Sequence, residues 1–148
     1  MARRQPLRLS AQEQDDIPVI SAAGQDAVAQ LGDFTFDRKS RRFTTVFNRF
    51  RWEDDARGQG WRTRSALDVS GVLKVQSKRL KKGEQSAIVS LLSLTFEELE
   101  SPGGILSFAF SGGGELRLTV ECIDMLLVDI SEPWPAKQRP GHPVDETA

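Results

Sequence analysis

A chain of 148 residues has room for one domain with a genuine core and is too short for two ordinary ones. With 39% hydrophobic and 28% charged residues it has the composition of a folded domain, not of a disordered chain, and no run approaches the ~20 apolar residues of a bilayer-crossing helix. The net charge of -1 hides an asymmetry: residues 1–82 carry 17 Lys/Arg against 10 Asp/Glu, and residues 83–148 carry 3 against 11. Either basic and acidic strands are neighbours in one sheet, or a basic surface awaits an anionic partner; the first is the simpler expectation.

In chain order, residues 1–6 form a flexible start, "MARRQP", with no apolar stretch behind the arginines that would make a secretory signal. A cytoplasmic setting follows as the expectation. "LRL" alternates like a short strand. Asp16 then serves as N-cap of a short helix with Pro18 in its first turn, running to about Ala23 and closing at Gly24, with Ile17 and Ile20 turned inward.

From Gln25 the period changes to two. "DAVAQL", "FTF" and "RFTTVFNRFRWE" read as strands, the last two joined as a hairpin by "DRKSR". In the long strand Val46, Asn48, Phe50 and Trp52 share one face, expected to be core, and Phe47, Arg49, Arg51 and Glu53 share the other. "RSALDVSGVLKVQSKRL" supplies two strands around Gly71, and "SAIVSLLSLTFEELE", apolar on both faces, reads as strand ahead of the "SPGG" turn.

"GILSFAF" and "ELRLTVEC" flank Gly112, Gly113 and Gly114. A phosphate cradle would need a further glycine or a Lys-Ser/Thr pair and then a helix, and neither is present, so the glycines read as a hairpin turn. Cys122 is in phase with the apolar face and is expected in the core. Beyond it, residues 121–131 read as strand or helix; β-branched Ile123, Val128 and Ile130 favour strand. Asp124 falls on the otherwise apolar side, so it must be paired, exposed by a bend, or at a strand-to-helix junction. Trp134 tucks back onto the body of a domain spanning 7–134, and the proline-rich residues 135–148 form a disordered tail.

The expected fold is mainly β with one short N-terminal helix: an antiparallel curled sheet, sandwich or open barrel. The alternative is α+β, with a C-terminal helix around 121–131.

One cysteine and one histidine, His142, cannot make a disulfide or a zinc site, and no nucleophile with a base is visible. No catalytic, metal or cofactor set is expected. The strongest constellation is "NRFRWE", where Arg49, Arg51 and Glu53 would project together and grip a carboxylate or phosphate. Glu121 and Asp124 complete the candidate ligand-binding residues.

Taken together, "ISAAGQDAV", "GDFTF", "RRFTTVFNRFRWE" and "GGGELRLTVECIDMLLVDISEPW" resemble the alphaproteobacterial family filed as domain of unknown function 2948, from about Leu7 to Trp134. The resemblance implies a bacterial cytoplasmic protein and brings no catalytic residues with it. The expected function is that of a non-catalytic binding or adaptor domain engaging a protein or a small anionic molecule. RNA or DNA binding through the basic first half is the second reading, adding Arg38, Lys39, Arg41, Arg42, Lys78, Arg79, Lys81 and Lys82. A small enzyme using carboxylates and arginine is the third. No membrane partner is expected.

Overall fold

Propensity and alternation resolve, in a computed structural model describing residues 5–54, 59–80, 83–137 and 140, into strands and one short helix. The chain runs β1 (Arg8–Ala11), α1 (Ile17–Ala23), β2 (Val28–Gln30), β3 (Thr35–Asp37), β4 (Arg42–Phe50), β5 (Trp61–Val69) and β6 (Val72–Lys78). It continues through β7 (Ile88–Glu98), β8 (Gly104–Phe110), β9 (Glu115–Val120), β10 (Met125–Asp129) and β11 (Trp134–Pro135). All strands belong to one antiparallel sheet in the order β1-β10-β5-β4-β2-β7-β8-β9-β6, with β3 added to β4 and β11 to β5. Among the described residues the sheet is not closed into a barrel. No helix among the described residues is long and apolar enough to cross a membrane.

The helix starts and stops where its end signals stand. Asp16 is the N-cap, Pro18 lies in the first turn, Gly24 is the C-cap, and Ile17 and Ile20 are buried. The glycines make the β8–β9 turn, with Gly112 and Gly113 at φ 83° and 88° and the Phe110 N–H donating to the Gly114 carbonyl at 2.9 Å. Those positive φ angles are cheap only for glycine.

Two strand-to-strand bends shape the molecule. β5 passes into β6 through Ser70 and Gly71, and β9 passes into β10 through residues 121–124. The bends are tied by the Ser70 N–H on the Asp124 carbonyl and the Glu121 N–H on the Gly71 carbonyl, both 2.9 Å. The β5–β10 pair thus continues around a corner as the β6–β9 pair.

The inner faces consequently meet. The rings of Phe43 on β4 and Phe108 on β8 are 6.5 Å apart, and those of Phe34 and Phe110 5.8 Å apart. β2 and β7 lie between β4 and β8 in the sheet, so in a flat sheet the backbones would be separated by about 14 Å, three spacings of roughly 4.8 Å. One buried cluster therefore draws on both halves, from Phe43, Phe47 and Leu67 to Leu106, Leu118 and Leu127.

Several expectations need correction. On β4 the inward face is Phe43, Thr45, Phe47 and Arg49, and Val46 and Asn48 are only half-buried on the outside. Phe50 is also buried, but against Trp52, with ring centroids 4.6 Å apart. Residues 121–131 contain no helix: a bend precedes the strand Met125–Asp129, whose inward residues are Met125, Leu127 and Asp129. Asp124 is exposed by that bend, and Cys122 is exposed too, because the chain leaves the strand register after Val120. Of the expected flexible start and tail, residues 1–4, 138–139 and 141–148, His142 included, lie outside the described residues. Gln5 and the Trp134–Pro135 strand hold defined positions.

Candidate functional site

The expected ligand-binding residues fall in two places. Arg49, Arg51 and Glu53 are together at the end of β4. Glu121 and Asp124 sit at the sheet corner beside Arg41, with Glu121 Oε1 accepting from Arg41 Nη1 at 2.6 Å. Six residue steps of strand, from Phe43 to Arg49, separate the two ends, a distance of about 20 Å.

At the Arg49 end the arginines turn inward rather than outward. The Arg49 side chain is 0% exposed and Arg51 3%, and both meet Asp129 of β10, at 1%. Antiparallel pairing of β4 with β5 and of β5 with β10 makes this meeting, setting Arg49 opposite Thr63 and Asp129 opposite Ser65. Asp129 is the residue that sequence reasoning missed.

The Asp129 carboxylate accepts five hydrogen bonds. Its Oδ1 takes Arg49 Nε at 2.9 Å and Ser65 Oγ at 2.7 Å; its Oδ2 takes Arg49 Nη2 at 2.9 Å, Arg51 Nη1 at 3.1 Å and the Leu7 N–H at 2.8 Å. Arg49 also donates from Nη1 to the Phe50 carbonyl at 3.3 Å and to Glu53 at 2.9 Å, and from Nη2 to Glu53 at 2.5 Å. A guanidinium has five N–H donors, and these contacts use all five. Arg51 spends its own donors on Asp54 (2.5 Å), Asp129 and the Gln5 carbonyl (2.9 Å).

Burial opposes ionisation of Asp129, but the bonds from Arg49, the Leu7 backbone and Ser65 outweigh it and hold the carboxyl below its ordinary range. Glu53 is likewise lowered: burial works against its charge, and the bonds from Arg49 and the backbone overcome it. The same exchange raises Arg49, against burial, through Glu53 and Asp129. Three carboxylates thus enclose two guanidiniums. This cluster fastens β4, β5, β10 and the segment leading into β1 to one another and leaves Arg49 no donor for a ligand.

A pH dependence follows. Carboxyls lowered on folding bind fewer protons than in the unfolded chain, so their contribution is complete above their unfolded values near pH 4 and is lost as pH falls through the folded ones. Denaturant midpoints should be level from about pH 8 to pH 5.5 and decline below about pH 4. Asp129→Asn should lower the neutral plateau and flatten that decline.

A second feature lies on the opposite side of β4. β3 pairs only with β4, and β6 only with β9, among the described residues. Between them are two hollows of about 310 and 390 Å³, meeting at Val75, within the range of small-ligand sites. Phe36, Arg38, Arg41, Val72 and Lys74 line the first; Phe34, Ser77, Leu80 and Glu84 are among those lining the second. The slit is stitched at one end by the Val72 N–H on the Arg41 carbonyl (2.8 Å) and at the other by the Gly32 N–H on the Gln85 carbonyl (2.8 Å). Arg41 is engaged with Glu121; Arg38 and Lys74 have no carboxylate partner among the described residues.

The basic segments named for nucleic-acid binding are partly spent. Arg41 pairs with Glu121, and Arg42 grips Asp68 with Nε at 3.0 Å and with Nη2. Lys78 stands opposite Glu115 in the β6–β9 register. Lys81 and Lys82 lie outside the described residues. Of the site's outer aromatics, Trp52 donates its Nε1 to the Gln25 carbonyl at 3.0 Å.

Fold and site define a small mainly β domain: a single curled antiparallel sheet, internally neutralised at its buried arginines and open along one seam. No three His, Cys, Asp or Glu side chains among the described residues are grouped to hold a metal ion. The chain belongs to the family described as "Protein of unknown function (DUF2948)", which it matches over residues 7–142. No curated protein and no solved structure matches it.

Proposed function

We propose that this protein is a non-catalytic binding or adaptor domain that engages an acidic segment of a protein at the slit between β3 and β6. The observation that carries this reading is the contrast between its two sets of cations. Arg49 and Arg51 are consumed by the chain's own carboxylates in the interior. Arg38 and Lys74 line an open hollow beside the apolar Phe36, Val72 and Val75. An apolar floor with a few cations at its rim suits a ligand that carries both aliphatic and acidic groups. A bacterial, cytoplasmic setting is part of the same proposal and draws its support from the sequence resemblance.

Nucleic acid as the partner has less support, since Arg41 and Arg42 already hold carboxylates. A carboxylate-arginine enzyme has less still, since about 20 Å of strand separates Glu121 and Asp124 from the arginine pair.

The test is fluorescence anisotropy of a labelled octapeptide of alternating glutamate and valine. The wild-type chain should bind it, and the Arg38→Glu, Lys74→Glu double variant should bind at least tenfold more weakly while unfolding at the wild-type denaturant midpoint. Equal affinity of the two proteins would overturn the reading.

A further inference from the structure

We infer that the occupant of the slit enters as an added β-strand on β6, a mode of recognition that rests on the binding role just proposed. β6 is the terminal strand of the sheet order, and beyond Val72, whose N–H is held by the Arg41 carbonyl, its far edge carries main-chain groups that no described strand pairs. β3 presents a second unpaired edge across the hollows. Unpaired strand edges are templates for an extended segment, because its main-chain N–H and C=O groups complete the ladder while alternate side chains enter pockets on one side. At about 3.3 Å per residue the free edge from Leu73 to Lys78 is roughly 20 Å long, enough for a segment of about six residues.

The floor and the rim specify the segment. Phe34, Phe36 and Val75 lie along the hollows and receive aliphatic side chains at every second position. Lys74, exposed on β6, and Arg38 at the first hollow favour carboxylates on the alternate positions. Glu84 lines the second hollow, so the acidic residues belong at the Arg38 end. Lys74 and Lys78, both exposed on β6, weigh against a second copy of this chain. Two β6 edges paired with one another would bring lysines together, and lysine on an edge strand is a device that keeps like edges apart.

The experiment compares the alternating glutamate-valine octapeptide with an analogue N-methylated at every second residue, which keeps the side chains and removes half of the main-chain donors. Binding is followed by anisotropy, and amide hydrogen exchange is read across Val72–Lys78. The unmodified peptide should slow exchange of β6 amides at least tenfold, and the methylated analogue should bind at least tenfold more weakly. Equal binding of the two peptides overturns strand addition and leaves the binding role standing. Binding of neither overturns both. A single-stranded oligonucleotide that displaces the peptide and protects the same amides, or a peptide-free dimer with those amides already protected, also overturns the strand-addition proposal.

Discussion

Asp129→Ala is expected to destabilise the protein by about 3–5 kcal/mol, the usual consequence of removing one partner from a buried ion pair. The mechanism is the charge left behind, not the contact removed. Arg49, with no exposed side-chain surface, would keep Glu53 but lose two bonds, and Arg51 would lose one. Ser65 and the Leu7 N–H would lose their acceptor as well. Since a domain of this size commonly has 5–15 kcal/mol in total, the variant should populate unfolded chain at room temperature in mild denaturant. Asp68→Ala is the contrast. Asp68 pairs with Arg42 where both remain partly exposed, so its loss should cost less than about 1 kcal/mol. Urea denaturation of the two variants beside the wild type checks both figures. Similar midpoints for both would mean that the interior cluster adds no more than a surface pair does.

Phe43→Ala is expected to cost about 3–5 kcal/mol, for a different reason. Phe43 is 2% exposed and its ring contacts both Phe34 and Phe108, so it bridges the two halves of the curled sheet. Truncation removes apolar area and also opens a void that strands held by their own ladders cannot collapse to fill. A small cavity already lies beside it, among Phe34, Phe47, Phe108 and Phe110. Phe43→Leu, which keeps most of the volume, should recover more than half of the loss. Equilibrium denaturation measures this, and a cost below about 1 kcal/mol for alanine would mean that the inner faces do not pack through this ring.

Much of the architecture was legible because its signals are local. The helix from Asp16 to Gly24 announces both ends within nine residues, and the glycine turn and the β3–β4 hairpin need only neighbouring residues to be read. The β4 face runs against its sequence expectation because arginine ordinarily marks solvent, whereas here it is buried. The run Phe43, Thr45, Phe47 already alternates inward, and following it two and four residues further leads to Arg49 and Arg51. Burial of those arginines requires a carboxylate 80 positions away, and only strand register brings Asp129 to them. An aspartate in phase with Met125 and Leu127 was the available signal. Cys122 and Asp124 depended on a bend that interrupts an otherwise regular alternation. The β3–β6 slit has no signature in sequence, since it arises from which edges remain unpaired after the whole sheet has formed.

On the proposed function, ligand meets the open seam while the Arg49 cluster serves the fold. A single titration of isotope-labelled protein with the glutamate-valine octapeptide addresses it, read by NMR at the backbone amides and at the arginine Nε–H groups. Amides of Thr35–Asp37 and Val72–Lys78 should shift, and the Arg49 Nε–H, bonded to Asp129, should stay in place and exchange slowly with water. A moving Arg49 Nε–H with unchanged β6 amides would place the ligand at the arginine cluster instead of the seam.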